Sequence, residues 1–248
     1  MIVSRPAHQA GDLVAAIEAA GGIALRYPAF DVVGRAVGAV ERDLTASAPA
    51  DLVIYVSVNA VRHGLGAVRA AYPDAKTAAI GPATSAALQS LGNIRVDVCP
   101  ATGYTSEDLL ADPALYNVAG QTIVIVRGET GREMLAETLS QRGATVRYLP
   151  VYATQTHAFA EREIAALRAA QERDAVDALI VLSVATFEHL ERALPAGCIK
   201  RLGDKRLVAP AGRVIQTIAQ RLPDAICIPS PGPDPQALVG ALIQSLQD

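Results

Sequence analysis

The sequence predicts an α/β protein built on parallel β-sheets, and three observations lead to this prediction. Short β-branched runs alternate with Ala- and Leu-rich helical stretches along all 248 residues, the apolar runs lack polar alternation, and part of the pattern occurs twice. Continuous apolar runs are typical of strands that are covered on both faces. Strands that alternate with helices favour a parallel sheet, because each helix crosses back over the sheet.

The individual elements follow from apolar runs and from the glycines that end several helices. The predicted strands cover residues 2–4, 23–27, 52–56, 77–80, 96–98, 122–126, 145–149, 178–182, 207–208 and 226–228. The predicted helices cover residues 12–20, 83–91, 132–141, 158–170, 186–193, 214–221 and 236–246, and two more begin near residues 57 and 106.

Four short patterns occur in the same order in both halves of the chain. Residues 51–58 (DLVIYVSV) resemble 177–184 (DALIVLSV), 80–83 resemble 208–211, 96–100 resemble 225–229, and Arg5 with residues 22–28 resembles Arg127 with residues 143–150. We therefore predict an internal duplication that gives two similar α/β units. The residues leave two arrangements open: one contiguous unit per half, or a first βαβ element that completes a sheet of the last third.

Charge and composition exclude several classes of protein. Lys and Arg number 22 against 25 Asp and Glu, a net charge of −3, which argues against a nucleic-acid partner. No apolar run approaches the ~18 residues of a membrane span, and residues 1–6 lack signal-peptide features. We therefore expect a cytoplasmic protein with no membrane partner. The cysteines, Cys99, Cys198 and Cys227, are too few and too far apart for a disulfide framework or a zinc site.

Conventional catalytic motifs are absent. The sequence has no GxGxxG after a strand, no GxSxG and no HExxH, and its four histidines are isolated. Residues 128–131 (GETG) resemble a phosphate loop only superficially, because no Lys-Ser/Thr pair follows. These absences disfavour a nucleotide-dependent enzyme and a metal site.

Small residues, most of them polar, recur where strands lead into helices. In a parallel sheet these junctions share one edge, and helix N-termini there offer free N–H groups and roughly half a positive charge. Several such ends would bind a ligand that carries several carboxylates or phosphates, although simple N-capping requires the same residue types. The candidate binding residues of this kind are Ser57, Asn59, Thr84, Ser106, Gly128 and Ser183.

Three arginines and one tyrosine complete the candidate site. Arg5, Arg127 and Arg132 lie at the same kind of junction, and arginine binds carboxylates bidentately. Tyr152 follows Pro150 on a candidate connection between units, where a tyrosine can donate a proton to a ligand. The ordinary alternatives are surface salt bridges for the arginines and packing for Tyr152.

Eight segments carry a family resemblance: residues 4–6 (SRP), 56–61 (VSVNAV), 79–84 (AIGPAT), 106–110 (SEDLL), 126–133 (VRGETGRE), 142–146 (RGATV), 150–152 (PVY) and 233–238 (PDPQAL). In their order and spacing the chain resembles the uroporphyrinogen-III synthase family along essentially its whole length. The segments 183–186 and 209–212 depart from the family pattern, because they are poorer in Ser, Thr and Gly.

The resemblance implies two flavodoxin-like, Rossmann-like domains joined by a two-stranded linker. One domain would combine residues 1–30 and 157–248, the other would span 36–150, and residues 30–36 and 150–157 would be linkers. The implied reaction closes linear hydroxymethylbilane into the type III porphyrinogen, with inversion of ring D and loss of water, without metal or organic cofactor. It also implies a monomer that receives the bilane from the preceding enzyme of the pathway.

The same resemblance assigns Tyr152 to the family's active-site tyrosine and makes it the candidate catalytic proton donor. The substrate carries eight carboxylates, which matches a site rich in arginines and helix N-termini. The alternative is a non-catalytic two-domain binding or sensor module for a polycarboxylate ligand. Turnover, rather than binding alone, distinguishes the two.

Overall fold

The chain folds into two units, seen in a computed structural model that describes residues 1–46, 48–101, 103, 105–131, 133–210 and 212–247. Unit 1 consists of Met1–Asp31 and Gln155–Asp248, and unit 2 consists of Val32–Thr154. Two strands, β3 (Phe30–Gly34) and β7 (Thr145–Thr156), continue from one unit into the other along the chain.

Unit 1 begins with a βαβ element and continues after the return of the chain. Its elements are β1 (Ile2–Val3), α1 (Gly11–Ala19), β2 (Leu25–Arg26), α7 (Glu161–Glu172), β8 (Ala178–Ile180), α8 (Val184–Ala193), α9 (Ala196–Lys200), β9 (Arg206–Ala209), α10 (Gly212–Arg221), β10 (Ile226–Pro229) and α11 (Pro235–Ser245). Its strands pair in parallel in the order β10-β9-β8-β1-β2.

Unit 2 is built from one continuous stretch of chain. Between β3 and β7 it contains α2 (Val37–Thr45), β4 (Leu52–Tyr55), α3 (Val58–Ala71), β5 (Lys76–Ala79), α4 (Pro82–Gly92), α5 (Ser106–Leu110), β6 (Thr122–Gly128) and α6 (Met134–Gln141). Its sheet has the order β3-β7-β6-β4-β5, and strands β4 to β7 pair in parallel.

The predicted duplication appears in the strand order of the two sheets. The strands matched by sequence, β1 with β6, β8 with β4 and β9 with β5, occupy corresponding positions in their sheets. The segment that matches β10 is residue Val98, which forms an isolated parallel bridge to Ala78 beside β5. The first βαβ element therefore completes the sheet of the last third, which decides between the two arrangements that the sequence left open.

Both sheets are covered on both faces, as their continuous apolar runs predict. In β4, Val53 and Tyr55 pack into one core while Leu52 and Ile54 pack into the other. In unit 1 the adjacent Ile2 and Val3 likewise enter different cores. This alternation is what buries strands from both sides in a parallel sheet.

The strand predicted at residues 96–98 is wrong. Only an isolated bridge forms, in which the Val98 carbonyl accepts the Ala79 N–H at 2.9 Å and the Thr77 carbonyl accepts the Asp97 N–H at 2.8 Å. The pairing goes no further, because the Thr77 N–H donates to the Asp97 carboxylate at 2.8 Å in place of a backbone carbonyl. Pro100, two residues beyond Val98, has no N–H to donate. The helices α2 and α9 were not predicted, and β7 extends seven residues beyond its predicted end.

Two further observations concern the described residues as a set. None of their helices is both long and apolar enough to cross a membrane. Cys99, Cys198 and Cys227 carry free thiols.

The close packing of α3 on the sheet gives a direct test of the core of unit 2. A Cβ on Gly64 would lie 2.8 Å from Cγ1 of Val126 and 3.0 Å from Cγ1 of Val151, whereas one on Gly66 meets nothing within 4 Å. Gly64→Ala is expected to destabilise the protein by about 1–3 kcal/mol through overpacking. The control Gly66→Ala is expected to stabilise it by about 0.5–1 kcal/mol through helix propensity. Urea unfolding measures both, and a Gly64→Ala protein as stable as the control would contradict this packing.

Candidate functional site

A cavity of about 340 Å³ lies at the carboxyl ends of the parallel strands of unit 2. The chain leaves β4, β5 and β6 at this edge, so the residues that follow these strands meet there. Val56, Ile80, Ile125 and Leu135 give the cavity an apolar part. Such a mixture of apolar wall and a few polar groups is typical of a small-molecule site.

Polar residues from two loops line the same cavity. Thr105 and Ser106 lie at the start of α5, and Thr130 and Gly131 lie in the loop after β6. The hydroxyl of Thr105 accepts the Asp108 N–H at 3.1 Å, and the Asp108 carboxylate accepts the Thr105 N–H at 2.9 Å. This capping box fixes the turn that brings Ser106 to the cavity.

Arg127, at the end of β6, is the buried cation of the cavity. It is 6% exposed, its guanidinium lies 4.3 Å from the centre of the Tyr148 ring, and its Nη1 donates to the Glu133 carboxylate at 3.2 Å. A Cβ on Gly131 would come within 2.6 Å of Nη2 of Arg127, so a side chain there would displace the guanidinium from its present position. A cation held in this way can bind an acidic group that enters the cavity.

Tyr148 remains a neutral phenol at ordinary pH. Burial, together with the adjacent Glu133 carboxylate, raises the pKa of Tyr148 to about 12. In return the Tyr148 hydroxyl, and then Arg127, lower the pKa of Glu133 below its usual range. The cavity is therefore lined by a neutral phenol and a guanidinium, and the ionised Glu133 carboxylate lies beside both groups.

Two features hold the Tyr152 ring at the cavity: a hydrogen bond to Ser57 and the lack of a side chain at Gly128. Its hydroxyl lies 3.2 Å from Oγ of Ser57, which caps α3 by accepting the Ala60 N–H at 3.0 Å. A Cβ on Gly128 would lie 2.8 Å from Cε2 and 2.9 Å from Cζ of Tyr152. The absence of a side chain at Gly128 therefore makes the position of the Tyr152 ring possible.

A β-bulge sets the direction in which Tyr152 points. Arg127 pairs with Pro150 but Gly128 pairs with Tyr152, so Val151 is skipped. Tyr148 packs with the core on one face of the sheet, whereas Val151 and Tyr152 both pack with the core on the other. Strict alternation would place Tyr148 and Tyr152 on the same face, and the extra residue is what separates them.

The structure brings together five of the residues that the sequence nominated. Ser106, Arg127, Gly128 and Tyr152 line the cavity, and Ser57 contacts Tyr152. Asn59 is half-buried in the first turn of α3, two residues beyond Ser57. Thr84 lies in the first turn of α4 with a side chain that is only 3% exposed, and it does not line the cavity.

Two nominated residues lie in unit 1, and a third is not described. Arg5 belongs to unit 1, where its Nη2 donates to the Pro233 carbonyl at 2.9 Å and burial lowers its pKa. Ser183, also in unit 1, caps α8 by accepting the Thr186 N–H at 3.1 Å, as Ser57 caps α3. Arg132 lies outside the residues that the structure describes.

Sequence reasoning did not nominate Tyr148, Thr105, Thr130 or Glu133. Thr105, Thr130 and Glu133 occur in the segments surrounding nominated residues, so a wider window would have included them. Tyr148 gives no such signal, because its place beside Arg127 depends on the pairing of β6 with β7. Within the described ranges, no three His, Cys, Asp or Glu side chains are grouped so as to hold a metal ion.

These features define an α/β protein whose parallel sheet carries a cavity suited to an acidic small molecule. The family model described as uroporphyrinogen-III synthase HemD matches residues 11–240. Because that match covers most of the chain, the protein belongs to the uroporphyrinogen-III synthase family, which confirms the resemblance seen in the sequence.

Individual relatives agree with the family match. A uroporphyrinogen-III synthase of Salmonella typhimurium is 32% identical over 157 residues, which cover 61% of this chain and 63% of the relative. The chain thus spans less than two thirds of that relative's length in the match. One from Proteus mirabilis is 31% identical over 151 residues, covering 59% and 75%. The crystal structure of a mutant uroporphyrinogen III synthase from Thermus thermophilus shares the fold, with a TM-score of 0.61 at 20% identity over 99% of this chain and 98% of that one.

The environment of Tyr148 predicts a measurable titration. Near pH 10, where a free tyrosine is half ionised, the ultraviolet phenolate band is expected to be the same in wild type and in Tyr148→Phe. Since the pKa is raised on folding, the contribution of Tyr148 to stability is present below about pH 10 and is lost as the pH rises toward 12. A phenolate signal near pH 10 that disappears in Tyr148→Phe would contradict the described burial.

Proposed function

We propose that this protein acts as a uroporphyrinogen-III synthase, a lyase of tetrapyrrole biosynthesis. It would close hydroxymethylbilane into the type III porphyrinogen, with inversion of ring D and loss of water, and it would need no cofactor. The observation that carries the proposal is the cavity of unit 2, in which the buried Arg127 and the hydrogen-bonded pair of Ser57 and Tyr152 lie at one edge of the sheet. Family membership supports the same activity.

Substrate binding would rest on charge and on polar groups. Arg127 would bind a carboxylate of the bilane, and Ser57, Asn59, Ser106 and the backbone at Gly128 would bind further polar groups of the substrate. Arg132 and, in unit 1, Arg5 and Ser183 would contribute in the same manner. Thr84 has the least support from its surroundings, since its side chain is almost fully buried.

Tyr152 would assist the loss of the hydroxyl group. In this step the phenol gives its proton to the hydroxymethyl oxygen, the C–O bond breaks, and water leaves an electrophilic carbon. The substituted α-carbon of ring D attacks that carbon and gives a spiro-pyrrolenine. The bond from this α-carbon to its original bridging carbon then breaks, and the bridging carbon bonds instead to the free α-carbon of ring D, which inverts the ring. The proton that the free α-carbon loses when ring D regains aromaticity returns to the Tyr152 phenolate. Because the free bilane also cyclises, but without inversion, the main task of the protein would be to position the substrate for the other closure.

The architecture implied by the family is part of the proposal. The two units would be flavodoxin-like domains joined by a two-stranded linker, with boundaries near 1–30 and 157–248 for one and 36–150 for the other. The division into Met1–Asp31 with Gln155–Asp248 and Val32–Thr154 supports it. A monomeric state, a cytoplasmic location and receipt of the bilane from the preceding enzyme stay predictions.

A coupled assay tests the proposed activity. Hydroxymethylbilane is generated in situ with and without the full chain, and the oxidised uroporphyrin isomers are separated by chromatography. We expect the product to change from the type I to the type III isomer when the protein is present. Type I alone from a folded sample would overturn the synthase activity and favour a non-catalytic polycarboxylate-binding module.

A further inference from the structure

The ion pair between Arg127 and Glu133 joins two side chains with very different environments. The Arg127 side chain is 7% exposed and the Glu133 side chain is 57% exposed. Arg127 is confined by the Tyr148 ring and by the close approach of Gly131. Glu133, at the start of α6, lies largely in water and can move away while Arg127 stays in place.

We propose that Glu133 is an internal competitor, which occupies the carboxylate site of Arg127 until a carboxylate of the ligand displaces it. This inference rests on the proposed function for the identity of the ligand, an acidic tetrapyrrole precursor. The competition itself does not depend on that identity, because any flexible carboxylate that enters the cavity would compete with Glu133 for the same guanidinium.

The free-energy cost of this exchange is small, because one carboxylate replaces another beside Arg127. A buried guanidinium that loses its counter-charge is strongly disfavoured, so Arg127 needs an anion at all times. Glu133 supplies one in the free protein, and its lowered pKa keeps it ionised near neutral pH. Water and salt screen the present ion pair at its exposed Glu133 end, whereas a ligand carboxylate enclosed in the cavity would be screened less.

Exchange of one carboxylate for another also gives selectivity. An uncharged ligand would have to displace Glu133 without replacing its negative charge beside the buried guanidinium. Glu133 would therefore disfavour occupation of the cavity by neutral or decarboxylated molecules. In this role Glu133 acts through Arg127 and does not contact the reacting atoms.

Binding of a simple tricarboxylate separates competition from mere support of Arg127. The probe is propane-1,2,3-tricarboxylate, titrated by calorimetry into wild type, Glu133→Gln and Glu137→Gln. Glu137 is exposed on the same helix, α6, one turn further on, so its variant controls for the loss of one negative charge near the cavity. We expect Glu133→Gln to tighten binding about three- to fivefold more than the control does.

The opposite outcomes would overturn the inference. If Glu133 only orders Arg127, Glu133→Gln weakens binding or changes it no more than Glu137→Gln does. Absence of tricarboxylate binding in all three proteins would equally refute it. Thermal unfolding of each variant shows that the comparison is made between folded proteins.

The isomer assay, run on the same proteins, keeps this inference separate from the proposed function. If Glu133 is a competitor, Glu133→Gln is expected to lower KM for the bilane while kcat stays within about twofold, because only ground-state binding changes. Type III product with unchanged tricarboxylate affinity in Glu133→Gln would refute the competitor alone. Tighter tricarboxylate binding without type III product would refute the synthase activity alone.

Discussion

The residue that is skipped between β6 and β7 determines which side chains reach the cavity of unit 2. Gly128 pairs with Tyr152 rather than with Val151. As a result, Tyr148 and Tyr152 of β7 lie on opposite faces of the sheet, although both line the same cavity. Backbone hydrogen bonds fix the bulge from both sides: the Glu129 N–H donates to the Tyr152 carbonyl, and the Arg35 N–H donates to the Val151 carbonyl, each at 2.9 Å. The missing side chain at Gly128 then leaves room for the ring of Tyr152.

The two faces of the sheet give the cavity two chemical environments. On the side of Tyr148, the buried guanidinium of Arg127 and the carboxylate of Glu133 form a charged region suited to an acidic group. On the side of Tyr152, the hydroxyls of Tyr152 and Ser57 form a neutral hydrogen-bonded pair. In the proposed reaction, the first region would bind a carboxylate of the substrate while the second would face the carbon that loses its hydroxyl group. Orientation of this kind is what a reaction with a competing uncatalysed closure requires.

Local signals in the sequence predicted most of the strands and helices, and pairing between distant strands explains the failures. Ser57 was recognisable as the cap of α3, because N-caps depend on a few adjacent residues. The α2 helix was missed although Val40 and Leu44 have helical spacing, since its segment follows a stretch taken as a linker. The strand at 96–98 failed because of the side-chain contact between Asp97 and Thr77. The bulge, and with it the position of Tyr148 beside Arg127, depends on the register of β6 with β7, which local composition does not encode.

A double-mutant cycle between Gly128→Ala and Tyr152→Phe tests most directly whether the bulge acts by holding the Tyr152 hydroxyl. The quantity measured is kcat/KM for formation of the type III isomer, with Gly240→Ala, where a Cβ meets nothing within 4 Å, as the control for a glycine replacement. Each single variant is expected to lose about a hundredfold, the low end of general acid catalysis. The double variant is expected to be no worse than the poorer single variant, because both changes remove the same hydroxyl from its place. Losses that multiply, or a single variant as active as wild type, would contradict this account.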